Sequence, residues 1–385
     1  MSPPLNGGEH GGRQRAPFRF GHAAGADWRT VAAHCLAQIG DGPGRDNFGW
    51  LYLTDQFADD AAEILAFLAA RLGIETWIGT TGIGVCATGT EYFDTAALAV
   101  MVGELPRDSV FPFATARRPM PDLFDDVGEW RADNAGGFGI VHGDPRDGPA
   151  LRRIDALAEG TQCFLVGALA SSRGRHPQIA DGMVEGGLSG ALFAPSLTVV
   201  TGLTQGCTPI GPAHELTAAQ DNVAIELDGK PALEVLKADV GEILARDLSR
   251  IAGYIFAARP VRGSDWGDYL VRNLTGFDSD QGLLAIGDDL SDGGQLMFCR
   301  RDRAAAEEDL RRMLGDVKSR LDGPPRGALY HSCLARGPNM FDGPDGELGI
   351  IRDELGPIPM VGLFGNGEIS AGRLYTYTGV LTVFV

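Results

Sequence analysis

The sequence has no hydrophobic run long enough to cross a membrane and no excess of basic residues. It contains 33 Lys and Arg against 51 Asp and Glu, which gives its 385 residues a formal net charge of −18. A membrane-spanning helix needs about 20 consecutive apolar residues, and the apolar stretch at 61–70 fits one face of a helix instead. Nonspecific binding to nucleic acid needs clustered Lys and Arg. We therefore expect neither a membrane span nor a nucleic-acid partner.

The six cysteines are scattered singly, and none forms a CxxC pair. The chain also lacks a His-x-His pair, a GxSxG elbow, a P-loop and an HExxH motif, so the sequence indicates neither a zinc site nor a common hydrolase. Such cysteine usage is typical of a reducing compartment, and we predict a cytoplasmic protein. The N-terminus lacks the apolar core of a secretory signal, and we interpret residues 1–26 as a disordered tail.

What the chain does contain is an internal repeat. Residues 79–100 align without a gap to residues 362–383, with eight identities in 22 positions. Average composition would give about one or two. The identical pairs are Gly79/Gly362, Gly82/Gly365, Gly84/Gly367, Gly89/Gly372, Tyr92/Tyr375, Thr95/Thr378, Leu98/Leu381 and Val100/Val383. A duplication of this kind predicts two related domains that face each other with a site between them.

Helical and strand patterns alternate along the chain. Asp27 is placed to cap a helix that ends at Ile39, and Asp302 is placed to cap a helix that ends at Leu321. The pattern of 231–257 predicts a helix in two pieces, and we place a domain boundary at its break. The sequence thus predicts an α/β (α+β) fold of two related mixed-sheet domains with flanking helices. The predicted domains are residues 27–238 and residues 239–385.

Two glycine-rich turns, at 79–84 and 362–367, each follow a strand pattern. Their spacing is similar to that of the dinucleotide-binding fingerprint, but that fingerprint opens a helix, and β-type sequence follows both turns here. We interpret the glycines as tight connections between strands, or as turns whose backbone N–H groups bind an anion. The glycines assigned to a candidate ligand site are Gly79, Gly82, Gly84, Gly365 and Gly367.

Charged and polar candidates follow a later strand and the second turn. Ser332, Cys333 and Arg336 come directly after a predicted strand, which is where binding sites of α/β proteins form. An Arg at this place could hold a carboxylate in bidentate fashion. Glu368 stands where the first copy has Val85, and a carboxylate present in one copy only is a candidate ligand for an amine or a hydroxyl.

Cysteine and histidine chemistry offers two alternatives. Cys207, in a loop rich in Gly and Pro, joins the ligand-binding candidates, and either Cys207 or Cys333 could act as a nucleophile if a base such as His214 lies close. His214 and His331 are the best-placed candidates for a haem ligand.

At these segments the chain resembles the FIST family, a bacterial sensory module with an N-terminal and a C-terminal half. The resemblance extends from about Gly49 to Val385. Its most specific pieces are residues 186–190, 204–212, 332–337 and 362–369.

The resemblance implies a protein that senses a small ligand, with amino acids the usual suggestion. It also implies a signalling partner such as a histidine kinase, a chemotaxis receptor or a cyclic-dinucleotide enzyme. Because the sequence ends at Val385 on its last strand, we expect the signal to pass to that partner in trans. One branch of the family resembles a haem-based nitric-oxide sensor, but its axial ligand has no match here, and Tyr375 stands where many members carry a His.

We therefore favour a ligand-binding sensory protein without a cofactor over an enzyme, and the sequence leaves the question of catalysis open. The alternatives are a cysteine-dependent hydrolase or transferase and a haem-based gas sensor.

Overall fold

The computed structural model describes residues 16–131, 137–148, 150–245, 251, 253–261, 268–343 and 346–385. Residues 1–15 of the predicted tail lie outside these ranges. The tail prediction is wrong for Arg19–Ala24, which forms strand β1 and pairs antiparallel with residues 97–102. Backbone hydrogen bonding at this sheet edge thus orders a segment that has few apolar residues of its own. No helix in the described ranges is long and apolar enough to span a membrane.

The described residues fold as three copies of one unit. The first repeat contains β1 (Arg19–Ala24), α1 (Trp28–Ile39), β2 (Phe48–Thr54), α2 (Ala61–Leu72), β3 (Thr76–Gly82), β4 (Gly84–Ala87), β5 (Thr90–Phe93) and β6 (Ala97–Gly103). The second contains β7 (Val110–Ala114), α3 (Met120–Arg131), β8 (Phe138–Gly143), α4 (Ala150–Thr161), β9 (Phe164–Leu169), β10 (Gln178–Ala180), β11 (Met183–Val184) and β12 (Leu188–Phe193).

The third repeat is interrupted by an insertion. It begins with β13 (Val199–Gln205). The insertion contains β14 (Cys207–Pro209), β15 (His214–Gln220), β16 (Val223–Leu227), β17 (Lys230–Pro231), α5 (Ala232–Ala245), β18 (Ile255–Pro260), β19 (Tyr269–Asp278), β20 (Leu283–Ile286) and β21 (Gln295–Arg301). The repeat then continues with α6 (Arg303–Ser319), β22 (Gly327–Cys333), α7 (Gly346–Leu355), β23 (Met360–Gly365), β24 (Glu368–Ser370), β25 (Arg373–Tyr375) and β26 (Thr378–Phe384).

The predicted duplication is confirmed, and the structure adds a copy between the two that the sequence reveals. Residues 79–100 and 362–383 cover the same strands of the first and third repeats. The helix caps are also as predicted, since Asp27 and Asp302 accept backbone N–H groups at the starts of α1 and α6. The mixed α/β fold class is confirmed as well.

Each repeat sends a hairpin to the sheet of another repeat. The three sheets have the strand orders β1-β6-β2-β3-β10-β11, β25-β24-β9-β8-β12-β7 and β13-β26-β22-β23-β4-β5. In each sheet the central strands pair parallel, as in β2–β3, β8–β9 and β22–β23. The hairpin of the first repeat completes the third sheet, that of the second completes the first, and that of the third completes the second. This cyclic exchange gives the molecule a pseudo-threefold arrangement.

The sheets pack against one another with their inner faces and against helices with their outer faces. Side chains from all three sheets form one central core, which includes Trp50, Phe138, Phe193, Leu329 and Phe384. The outer faces bury separate cores under α1 and α2, under α3 and α4, and under α6 and α7. Strand residues alternate between the two kinds of core, as the period of two requires.

The insertion of the third repeat is a closed antiparallel barrel. Its six strands follow the order β21-β15-β16-β20-β19-β18, and β18 pairs back onto β21. Gly241 breaks α5 with φ 77° and ψ 165°, which agrees with the predicted break, but residues 255–257 belong to β18 and not to a helix. The domain boundary placed after residue 238 falls within α5.

Three equivalent glycines allow the parallel strands to approach each other closely. Gly79, Gly167 and Gly362 occupy the same position in β3, β9 and β23. A Cβ atom built on any of them would lie 1.7–1.9 Å from a carbonyl oxygen of the neighbouring parallel strand. No side chain fits there, so these glycines are required by the strand pairing itself.

Gly362→Ala should therefore be strongly destabilising. Its Cβ would lie 1.7 Å from the carbonyl oxygen of Tyr330, and we expect the free energy of unfolding to fall by more than about 3 kcal/mol. Gly315→Ala in α6 is the control, because a Cβ there meets nothing within 4 Å. Ala is more favourable than Gly inside a helix by about 1 kcal/mol, so this variant should not be destabilised. Urea unfolding followed by circular dichroism measures both; a Gly362→Ala protein as stable as wild type would contradict the strand geometry.

Candidate functional site

A buried ion pair lies at the carboxyl end of β22. Arg336 follows this strand, Glu347 lies in the first turn of α7, and neither side chain is exposed. Arg336 donates to Glu347 Oε1 from both Nε and Nη2, with an Nε–Oε1 distance of 2.8 Å. Tyr330 donates its hydroxyl to the same oxygen, and Ser332 donates to Oε2 at 2.8 Å. The carboxylate is thus paired and fully hydrogen-bonded, as a buried charge must be.

The third nitrogen of the Arg336 guanidinium does not bind Glu347. Nη1 of Arg336 is buried and has no hydrogen-bond partner among the described residues. A Cβ built on Gly206 would lie 3.1 Å from this nitrogen, so Nη1 faces the loop that carries Cys207. The sequence predicts a bidentate clamp for a ligand carboxylate, but Nε and Nη2 are held by Glu347, and only Nη1 remains for a ligand.

Glu368 is the second buried acidic residue of this region. Its Oε2 accepts hydrogen bonds from Thr378 Oγ1 at 2.8 Å and from Thr378 N at 3.3 Å. Its Oε1 is buried and has no partner in the described part of the chain. Burial raises the pKa of Glu368 to about 8, against smaller opposing effects of Thr378 and Arg336. The carboxyl group is therefore largely protonated at pH 7.

The loop before Cys207 connects the barrel to this region. Gly206 donates its N–H to the carbonyl oxygen of Tyr377 at 2.8 Å. Tyr269, on barrel strand β19, donates its hydroxyl to the carbonyl oxygen of Cys207. Tyr377 immediately precedes the residue that binds Glu368. The loop, the start of β26 and the Glu368 carboxyl group are consequently held as one unit.

Most of the predicted site residues belong to the third repeat and its insertion: Cys207, Ser332, Cys333, Arg336, Gly365, Gly367 and Glu368. Cys333 pairs with Gly365 across β22 and β23. The first glycine turn is divided between the first sheet and this cluster, because Gly84 pairs with Phe364, the neighbour of Gly365. Gly79 is packed against β2 in the first sheet, and the turn at 82–84 leads into β4, which pairs with β23.

The cysteines are poorly placed for nucleophilic chemistry. Cys207 and Cys333 are buried. Burial and then the charge of Glu368 raise the pKa of Cys333, which disfavours the reactive thiolate. His214 does not serve as their base, because its Nδ1 lies 2.7 Å from Asp228 Oδ2 and its Nε2 lies 3.0 Å from Asp239 Oδ2.

The two candidate haem ligands do not fit a haem iron in this structure. Both ring nitrogens of His214 are bound to carboxylates. His331 is fully buried in β22 between Leu363 and Val380 of the neighbouring strands. A porphyrin could reach it only by separating the sheets, and no role for haem follows from these residues.

Two residues of the site were missed by sequence analysis. Glu347 lies on a short helix with other charged residues, and a Glu in such a context is usually solvated. Tyr377 adopts a positive φ of 62°. This conformation is uncommon for an aromatic residue, and no sequence pattern predicts it here. The site candidates that the sequence offered nearest to these two residues are Arg336, whose guanidinium pairs with Glu347, and Glu368, whose carboxyl group accepts from Thr378.

Glu347→Gln should expose the dependence of the fold on the ion pair. The Arg336 charge would stay buried without an anionic partner, and we expect a loss of about 3–5 kcal/mol in the free energy of unfolding. Glu307→Gln is the matched control, because Glu307 pairs with Arg303 on the exposed surface of α6, where a pair contributes less than about 1 kcal/mol. Urea unfolding compares the two; equal losses would contradict the assignment.

Glu368→Gln should change how stability depends on pH. Between the ordinary pKa of 4.5 and the folded value of about 8, the native state keeps a proton that the unfolded state loses. The free energy of unfolding should therefore fall as pH rises through this window, by about 1.4 kcal/mol per pH unit. Gln cannot titrate, so the variant should lack this slope and exceed wild type in stability at pH 8. Urea unfolding at several pH values from 5 to 8 tests this, and parallel curves would contradict it.

Comparison with known proteins identifies the family to which the sequence is similar. The FIST N domain model matches residues 47–230, and the FIST C domain model matches residues 232–371. An uncharacterized protein of Mycobacterium tuberculosis is 32% identical over 346 residues, which cover 85% of this chain and 88% of that protein. An uncharacterized protein of Mycobacterium bovis is 33% identical over 200 residues, 50% of this chain and 52% of that protein. The chain therefore belongs to the FIST family, whose domains are generally thought to be sensory.

Proposed function

We propose that this protein senses a small polar ligand that carries both an acidic and a basic group, such as an amino acid. The observation that supports this is a pair of unpartnered atoms. Arg336 Nη1 and Glu368 Oε1 are both fully buried and both lack a hydrogen-bond partner among the described residues. Their side chains are close enough for the Arg336 charge to lower the pKa of Glu368. A buried polar atom without a partner is costly, so two of opposite character in one region favour a ligand site.

The chemistry of the two atoms defines the ligand. Arg336 Nη1 is a donor only, and it suits a carboxylate oxygen of the ligand. Glu368 Oε1 suits an ammonium or hydroxyl group. Because Glu368 is largely protonated without a ligand, an ammonium group would bind best after the carboxyl group has released its proton. Binding of an amino acid near pH 7 should thus release about one proton to the solvent.

The route from this site to the surface runs through the barrel. Thr378, which binds Glu368, is preceded by two residues that contact barrel strand β19. Thr376 donates its hydroxyl to the carbonyl oxygen of Val271 at 2.7 Å, and Tyr377 donates its hydroxyl to Asn273 at 2.8 Å. A ligand that moves the Glu368 carboxyl group would also move Thr378, which is bonded to it. It would thereby shift the hydrogen bonds of Thr376 and Tyr377 to β19. We propose that a partner in trans, of the histidine kinase, chemotaxis receptor or cyclic-dinucleotide enzyme type, detects the resulting shift in the barrel.

A thermal-shift screen of the purified protein against amino acids, small carboxylates and haem tests the proposal. A ligand present at about 100 times its dissociation constant should add about 2.7 kcal/mol of stability. We expect a shift with amino acids. Calorimetry of the hit at pH 7, in two buffers with different heats of ionisation, should then show the release of about one proton.

Variants at Glu368 decide where such a ligand binds. Glu368→Gln preserves the shape of the side chain but removes the charge, and we expect it to weaken binding by about tenfold or more and to abolish proton release. Glu226→Gln, at an exposed position of barrel strand β16, should bind like wild type. Equal binding and equal proton release by all three proteins would contradict the site. A shift with haem alone would favour the gas-sensor alternative instead.

A further inference from the structure

Three polar side chains meet at the centre of the molecule. Tyr52, His142 and His331 are each the fifth residue of β2, β8 and β22, which are the equivalent strands of the three repeats. All three side chains are 0% exposed. The hydroxyl oxygen of Tyr52 lies 3.1 Å from His142 Nε2 and 3.0 Å from His331 Nε2. We call these three residues the axial triad.

The number of protons in the axial triad determines which ring nitrogen of each histidine is protonated. The Tyr52 hydroxyl has one proton and can donate to only one of the two Nε2 atoms. The other Nε2 must carry a proton itself and donate it to the Tyr52 oxygen. Burial lowers the pKa of His142 and lowers that of His331 to about 3, so both rings are neutral. One ring therefore has its proton on Nδ1 and the other on Nε2.

The outer nitrogens of the triad have no hydrogen-bond partner among the described residues. Nδ1 of His142 and Nδ1 of His331 are both buried and unpartnered within the described residues. By the proton count, one of them is a donor and the other an acceptor. Buried imidazole nitrogens normally bind protein or ordered water.

Other unpartnered atoms lie on the same inner faces of the sheets. Trp50 Nε1 and Thr382 Oγ1 are buried without a partner in the described part of the chain. Trp50 lies two residues before Tyr52 on β2, and Thr382 lies two residues after Val380, which pairs with His331. Glu368 pairs with Ala168, which pairs with His142, so the Glu368 and His142 side chains share one face of the second sheet. Donors and acceptors thus occur together along the axis, which is the setting in which internal water is bound.

We propose that the pseudo-threefold axis is a binding site for internal water, fixed by an axial triad whose two histidines are opposite neutral tautomers. One water accepts from the protonated Nδ1, and another donates to the bare Nδ1. The site does not depend on the ligand proposed above. It explains why the three repeats place a Tyr and two His at one equivalent position of their central strands.

Nitrogen-15 NMR of histidine-labelled protein tests the tautomers. In long-range proton–nitrogen spectra at pH 7, one of the two buried rings should carry its proton on Nδ1 and the other on Nε2. Tyr52→Phe removes the hydroxyl and should abolish this opposition. Tyr92→Phe is the matched control, because its hydroxyl lies 2.7 Å from His22 Nδ1 on the half-buried edge of the molecule, and it should leave both axial rings unchanged.

A crystal structure completes the test. We expect water density within hydrogen-bonding distance of Nδ1 in both His142 and His331. The same tautomer in both rings, a protonated ring at pH 7, or two dry Nδ1 atoms would each overturn the proposal. If His142 and His331 kept opposite tautomers in Tyr52→Phe, the proposal would also be overturned, because the Tyr52 hydroxyl would then not determine the two tautomers.

Discussion

The pairing of each sheet with a hairpin from another repeat is the constraint on which the rest of the structure depends. Without β4, the parallel strand β23 would present an open edge of unpaired backbone groups, and the same holds for β3 without β10 and for β9 without β24. No repeat can therefore complete its sheet alone. The exchange also turns the inner faces of the three sheets toward one axis, where they bury a single core.

The candidate site is a product of the same exchange. Arg336 follows a strand of the third sheet, whereas Glu368 lies on the hairpin that the third repeat contributes to the second sheet. Two buried ionisable residues from one repeat are consequently positioned by different sheets, and the loop at Gly206 lies against Arg336 and donates a hydrogen bond to Tyr377, the residue before Thr378. The barrel is inserted between β13 and α6, where the other two repeats have only a short connection. Because of this insertion, only the third of the three described repeats has a loop such as that at Gly206, which lies against Arg336.

Sequence patterns predicted the parts of the fold that depend on local chemistry. Asp27 and Asp302 mark helix starts because their side chains cap backbone N–H groups, and the shared glycines of two repeats mark strands that cannot accommodate a Cβ. The second repeat was missed because eight residues separate β9 from β10, where the other repeats turn within one or two residues. Glu347 was missed because its burial depends on Arg336 and Ser332, which lie on another element. Long-range packing of this kind leaves no periodic signal.

The central claim is that Glu368 is a buried carboxyl group that faces a ligand. Its pKa can be measured directly by carbon-13 NMR titration of the glutamate carboxyl signals, with Glu368→Gln to assign the resonance. The account predicts a pKa near 8 in the free protein and a marked decrease when a ligand with an ammonium group is bound. A carboxyl group that titrates near 4.5, with or without such a ligand, would contradict it.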